Sequence, residues 1–373
     1  MSQPLPLLRH FRKLKDPRIN RRRLHSLESI LVIAVCAVIA GACDFQQVAL
    51  FAQKRQEWLK RFVALPNGVP SHDTIQRVFA RLDPVAFQAA FASWMTAWHA
   101  KLTGKQLAVD GKALRGSASP QKGFRALHTV GVWATQAKLC LGMVSCSAKS
   151  NEITAIPELL ALLDLEGALV SIDAMGCQKD IAQQVIDGGG DYLLVVKENQ
   201  GNLHKEIEAC FAKAAEQDYE DVKHSCYTTT EQGHGRTETR SIVVIEDAEG
   251  LTEKDKWAEL NVIGVCYSER QEGDGERTFQ TRYFIGSKRA KARYYGKALR
   301  GHWGIENNLH WQLDVTYRED HSRVQQRTAA QNFALVRRLA LNLAQQEKTT
   351  MSLAKKRFAA ALDADYLEQI LEV

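Results

Sequence analysis

Residues 106–112 read QLAVDGK and residues 168–176 read ALVSIDAMG, two short apolar runs that each deliver an aspartate, Asp110 and Asp173, at the carboxyl end. Runs this short, closed by acidic and glycine positions, predict buried β-strands, because a packed helix needs roughly ten residues or more. An ionised carboxylate is costly inside an apolar sheet, so each acid is expected at the sheet's carboxyl edge, where α/β proteins bind ligands. Between them lie two further predicted strands, HTVGVWAT (128–135) and KLCLGMVSCS (138–147), and then NEITAIPELLALLDL (151–165), whose apolar spacing is helical. After Asp173 a helix from Gln178 leads into another strand, DYLLVVK (191–197). The order is β-β-β-α-β-α-β, and if the first and fourth strands are neighbours the two carboxylates face each other although 63 positions separate them.

Farther out the texture changes twice. Residues 217–290 return to strands, TRSIVVIE (239–246), NVIGVCYS (261–268) and RTFQTRYFIGS (277–287), with glycine-rich or charged turns between. Past Lys291 the pattern is helical through YYGKALRGHWGIENNLHWQL (294–313) and AAQNFALVRRLALNLAQQ (329–346). The strand-rich block therefore reads as an insertion into an α/β core. Residues 1–100 lack strand-like alternation and read as helices with short breaks. There Ser71 signals a helix start ahead of Ile75, Val78, Phe79 and Leu82, which leaves Arg77 and Arg81 on the polar side. Ile30 to Cys43 is too short for a membrane span and ends at Asp44, which predicts a buried core helix.

A chain of 373 residues with 45% hydrophobic content can build two or three domains around a substantial core. A surplus of 6 basic over acidic residues suits a polyanionic partner without requiring one. Arg9 to Arg23 holds eight basic residues and one acid, Asp16, and includes Arg21, Arg22 and Arg23 in succession. Such an arm can lie on phosphates, a solvated helix face being the plain alternative. Eight cysteines run from Cys36 to Cys266 with no CxxC pair and no secretory leader, which predicts reduced thiols in a cytoplasmic protein without a membrane anchor. DGGGDY (187–192) matches neither GxxxxGK[ST] nor GxGxxG and reads as a turn.

Two close carboxylates repel, and a divalent cation removes the repulsion. Mg²⁺ fits best, being hard, oxygen-seeking and tolerant of water and phosphate in its shell. A third acid from a helix would complete a two-metal site, with cations about 3.5–4 Å apart, for in-line phosphoryl displacement. Glu306 is the candidate. His302, Glu306, His310 and Asp314 recur every four residues and would share one helical face. Two histidines with carboxylates can hold zinc or iron, but the spacing is not HExxH and no cysteine is near, so support of Glu306 or contact with DNA is the expected role. Trp303 and Trp311 are expected in the core, with stacking on an exposed base as the alternative, and Cys177 as a buried bystander.

Four segments, LAVDGKALRGS (107–117), SIDAMGCQKDIA (171–182), VVKENQGNL (195–203) and HWGIENNLHWQLDVTYRED (302–320), together resemble bacterial insertion-sequence DDE transposases. The likeness is to the branch containing the H-repeat-associated proteins linked to Rhs elements, and with the helical N-terminal region it spans nearly the whole chain. It implies a DNA transposase that performs metal-dependent strand cleavage and strand transfer at element ends. The implied fold is α/β, a ribonuclease H-like mixed sheet flanked by helices. Residues 1–100 would be an all-helical N-terminal domain for DNA binding or assembly, 101–216 the first part of the catalytic domain, 217–290 a β-rich insertion and 291–373 the helical remainder. Asp110, Asp173 and Glu306 would be both the catalytic residues and the ligands of two Mg²⁺ ions, with Mn²⁺ able to replace them.

Implied partners are element-end and target DNA, bound by a homodimer in the bacterial cytoplasm at the nucleoid. Related enzymes carry the Glu in a Tyr-Arg-Glu-Lys signature, and those other positions are Leu299, His302 and Leu313 here. DNA contacts are instead expected at Arg21, Arg22, Arg23, Arg77, Lys197, Arg300, His302 and His310. The competing readings are a ribonuclease H-fold nuclease without strand transfer and a catalytically silent DNA-binding remnant of a mobile element.

Overall fold

The computed structural model describes residues 8–98, 104–119, 121, 123–146, 152–233, 235–247, 250–273 and 275–372. Six helices open the chain: α1 (Leu8–Phe11), α2 (Leu27–Ile39), α3 (Phe45–Lys54), α4 (Gln56–Leu59), α5 (His72–Arg81) and α6 (Pro84–Trp98). Ser26, Asp44 and Ser71 cap α2, α3 and α5, each side chain accepting a backbone N–H of the first turn that no helical carbonyl can satisfy. α2 is apolar and buried around almost its whole circumference, as the sequence predicts for Ile30 to Cys43, so it is a core element and not a surface one.

The sheet begins with β1 (Gln106–Leu114), β2 (Leu127–Ala134) and β3 (Leu139–Ser145), followed by α7 (Glu152–Leu160), β4 (Leu169–Ile172), α8 (Lys179–Asp187) and β5 (Asp191–Val196). After α9 (Gly201–Glu216) come β6 (His224–Gly233), β7 (Arg236–Glu246), β8 (Val262–Glu272) and β9 (Arg277–Gly286). Helix α10 (Ala292–Ile305) continues as two π-helical turns, Glu306–His310 and Gln312–Thr316, before α11 (Arg327–Gln346), α12 (Leu353–Leu362) and α13 (Ala364–Leu371). The all-helical N-terminal stretch and the mixed, helix-flanked sheet are the ribonuclease H-like arrangement expected from the resemblance.

Nine strands form one sheet in the order β3-β2-β1-β4-β5-β9-β8-β7-β6. β1, β4 and β5 are mutually parallel, and every other neighbouring pair is antiparallel. Among the described residues the strands after α9 make no second sheet: β9 pairs with β5 in the register Val196 with Tyr283, so they extend the first one. No helix among the described residues is long and apolar enough to cross a membrane. All eight cysteines are free.

α11 joins the helical layer to the sheet, packing on α2, α5 and α6 as well as on β3. β3 is an edge strand, and edge strands expose backbone groups that need a partner. Asn342 of α11 supplies it: its Oδ1 accepts the Cys140 N–H at 2.9 Å and its Nδ2 donates to the Cys140 carbonyl at 2.7 Å, in a fully buried setting. Asn342→Leu keeps the volume but strands both groups, so a loss of about 2–5 kcal/mol in unfolding free energy is expected by denaturant titration. An unchanged midpoint would show that the edge is satisfied without α11.

Candidate active site

β1 and β4 run parallel with Val109 across from Ile172, so Asp110 and Asp173 occupy the next step of the same register. Neighbouring strands lie about 4.8 Å apart, which sets the backbones of the two acids side by side. Asp173 leaves the ladder to cap a short turn at Ala174–Gly176, its carboxylate accepting the Met175 N–H at 3.1 Å. Asp110 accepts the Gly111 N–H at 2.8 Å. Burial pushes the Asp110 carboxyl up to about 7; the charges of Asp173, Glu306 and Glu152 push the same way, and the Gly111 N–H opposes them.

α10 delivers Glu306 through a buried polar cluster. Gln106 on β1 donates from its Nε2 both to Ser171 Oγ on β4 (2.8 Å) and to the Ala298 carbonyl on α10 (2.7 Å). Ser171 Oγ in turn meets His302 Nδ1 at 3.1 Å. The helix comes so close that a Cβ at Gly301 would strike the Gln106 side chain. Just past this cluster the helix widens, and the Trp311 N–H reaches the Glu306 carbonyl five residues back, the bonding of a π turn.

The four residues spaced by four take separate tasks. His302 is buried, and burial lowers its imidazole to about 4. His310 places Nδ1 3.6 Å from Asp110 Oδ2, and burial lowers it to about 3. Both rings are therefore neutral near pH 7, and each lies against the sheet. Asp314 pairs with Lys112 of β1 at 2.5 Å, while Glu306 is exposed. Among the described residues no three His, Cys, Asp or Glu side chains form a ready-made metal cage. As a donor set, however, carboxylates whose charges converge on Asp110 and raise its proton affinity suit a hard divalent cation.

Two open clefts flank the acids. One, of about 600 Å³, is lined by Glu306 together with Arg236, Arg240, Arg282, Arg300 and Trp303. The other, of about 560 Å³, is lined by Asp173, Lys197, Asn199 and Arg282. Arg300 faces the first cleft but is paired to Glu231 at 2.9 Å. Arg21 and Arg77 are exposed on the helical N-terminal layer, and Arg23 donates from Nε to the Arg18 carbonyl at 2.8 Å; none of the three lines either cleft. The side chain of Arg22 lies outside the described residues.

The tryptophans are not core residues, contrary to expectation. Trp311 is 52% exposed, and Trp303 is half-buried with the guanidinium groups of Arg282 (4.2 Å from the ring centroid) and Arg240 (5.5 Å) over its ring. An indole under cations is held at the surface by charge instead of by apolar neighbours. Cys177 is buried and its thiol is pushed up to about 12 by burial, with the charge of Asp173 adding, an inert neighbour.

Sequence reasoning missed Glu152, Arg240 and Arg282. Glu152 opens α7 and lies over Gly111, where a Cβ would collide with its carboxylate. Burial, then the charge of Asp173, raises its proton affinity. Its only sequence signal is an acid at a predicted helix start. Arg282 had a clearer one, the alternation of Thr278, Gln280 and Arg282 on the polar half of a strand.

Residues 101–343 match the family described as Transposase DDE domain, and residues 8–95 match one described as DDE_Tnp_1-associated. "Putative transposase YncI" of Escherichia coli O157:H7 is 40% identical over 98% of this chain and 94% of its own length. "H repeat-associated putative transposase YhhI" of Escherichia coli (strain K12) is 36% identical over 98% of this chain and 97% of its own. A solved piggyBac transposase synaptic complex with hairpin DNA aligns with 99% of this chain and 78% of its own at 10% identity and a TM-score of 0.41.

The raised Asp110 carboxyl makes a signed prediction. Between about pH 4, where an unfolded aspartate loses its proton, and about pH 7 the folded chain binds the extra proton. Stability of the metal-free protein therefore falls as pH rises across that window. In EDTA, Asp110→Asn should melt higher than the parent near neutral pH and lose that advantage near pH 4. Equal melting curves at both ends would mean that the acid carries no strain.

Proposed function

The chain belongs to the bacterial DDE transposase family, and on that premise we propose that it cuts DNA at the ends of an insertion element and joins the released 3′ ends to target DNA. Asp110, Asp173 and Glu306 are the catalytic carboxylates of this reading. Its main support is the parallel register that sets Asp110 beside Asp173, with Glu306 close enough to raise the proton affinity of Asp110.

The same three carboxylates would hold two Mg²⁺ ions, which when bound neutralise charge on the entering and leaving oxygens of the phosphodiester. The chain's own residues prepare that site. The Gly111 and Met175 N–H groups orient the two aspartates, and His310 packs a neutral ring against Asp110, so no fixed cation competes there. Lys112 is kept from the acids by its pairing with Asp314, which ties the second π turn to β1. Lys197 and Arg300, exposed along the two clefts, offer positive charge to a DNA backbone. The helical N-terminal region, with Arg21, Arg23 and Arg77 exposed, serves DNA binding or assembly, and a homodimer holds two element ends together.

DNA bearing the sequences that flank this coding region, incubated with protein and Mg²⁺, should be nicked, and EDTA should suppress the nicks. Asp110→Asn, Asp173→Asn and Glu306→Gln should each lower the rate about 10³-fold, roughly 4 kcal/mol of transition-state stabilisation. If Asp110→Asn cuts as fast as the parent, the assignment fails. Joined products on a second DNA establish transposition; cutting without joining leaves a nuclease, and binding without cutting a silent remnant.

A further inference from the structure

One cation at the junction of the two clefts has no ion-pair partner among the described residues. Arg282, on β9, is half-buried and lines both the cleft that contains Glu306 and the cleft that contains Asp173. Of the arginines that share the Glu306 cleft with it, Arg240 pairs with Glu231 and Glu238, Arg300 with Glu231 and Arg270 with Glu272, while Arg236 lines that cleft only and not the one with Asp173. Among the described residues Arg282 makes no ion pair or hydrogen bond; it rests on the face of Trp303 at 4.2 Å. A guanidinium carries five donors in a fixed fork that fits the oxygens of a phosphate. Here the fork is oriented by an aromatic ring and its donors are unspent.

The sheet register adds a second, independent observation. β5 and β9 pair as far as Val196 with Tyr283, so one step farther Lys197 stands across from Arg282, and both line the cleft with Asp173. Like charges directly opposite on neighbouring strands repel. Two cations held together at the mouth of two clefts, each cleft containing one of the acids, form a receptor for an anion that runs from one cleft into the other.

We propose that Arg282, with Lys197 opposite it, clamps a backbone phosphate of the nucleic-acid strand that crosses between Asp173 and Glu306. The clamp rests on the reading that this site cuts DNA. It supplies from the sheet extension an unpaired basic contact beside Arg300, which the helix bearing Glu306 presents already paired to Glu231. The guanidinium stays planar on Trp303 while its outward N–H groups donate to the phosphate oxygens.

The test uses the full chain in EDTA, a fluorescein-labelled duplex of arbitrary sequence and a series of potassium chloride concentrations. Loss of one phosphate contact should weaken binding about tenfold and flatten the plot of log affinity against log salt by about 0.9. Arg282→Ala is expected to do both, and Arg282→Lys to restore the slope while recovering only part of the affinity. If Arg282→Ala melts early, Arg282→Gln is read in its place. A merely structural arginine, a lid on Trp303, would leave the slope unchanged; parental slope and affinity in the alanine and glutamine variants overturn the clamp. Absence of binding by the parent even at low salt removes the DNA reading itself, and the clamp with it.

Discussion

Two carboxylates set side by side where the parallel pairing of β1 with β4 stops, Asp173 just past the end of its strand and Asp110 inside β1, form the constraint to which the rest of the architecture answers. Partly shielded from water, they repel more strongly than exposed acids do, and the ladder from Gln106 with Leu169 to Val109 with Ile172 denies them room to separate. The chain relieves the strain locally, with one N–H donated to each aspartate and with proton retention on Asp110. It also adds to it, because Glu152 approaches over a glycine and Glu306 arrives from a helix. An arrangement optimised for stability alone would have dispersed these charges, as strained sites that serve a ligand do not.

Helix α10 could not deliver Glu306 without a fixed position along the sheet. Gln106, Ser171, His302 and the Ala298 carbonyl provide it, because buried polar groups tolerate only the alignment in which they find one another. Sliding the helix by a turn would break the bonds from Gln106 to the Ala298 carbonyl and from Ser171 to His302. An apolar contact there would have allowed slippage. The π turns that follow extend the effect: an α-helix drifts by about 40° every four residues, and the wider turn brings His310 and Asp314 back onto β1.

The strands beyond α9 change what the sheet edge can do. By pairing with β5, β9 carries a polar strand end past the acids and turns an open edge into two adjoining clefts. Arg240 and Arg300 there are neutralised by glutamates of β6 and β7, which leaves Arg282 and Lys197 as the cations between the two clefts and Arg236 in the first. Charge placement, not charge number, gives this surface its character, in keeping with a net surplus of only 6 basic residues.

Much of this was legible in the amino-acid order. The apolar runs ending in Asp110 and Asp173, the cap at Ser71, the buried helix expected over Ile30 to Cys43 and found at Leu27–Ile39, and the change to helix past Lys291 are local signals, and local periodicity reports local structure. Sequence similarity over four segments pointed to the family. The every-fourth-residue series from His302 was read as one face of a straight helix, because nothing in a sequence announces a π turn. Glu152, Arg282 and the stack on Trp303 were invisible for the same reason: each depends on a partner far along the chain. By itself the sequence determined the elements, the family and the two acids of the apolar runs; that β1 runs on past Asp110 to Leu114, which strands lie side by side, and hence which charges meet, was decided only by the tertiary structure, since register and burial belong to pairs of segments and not to either one.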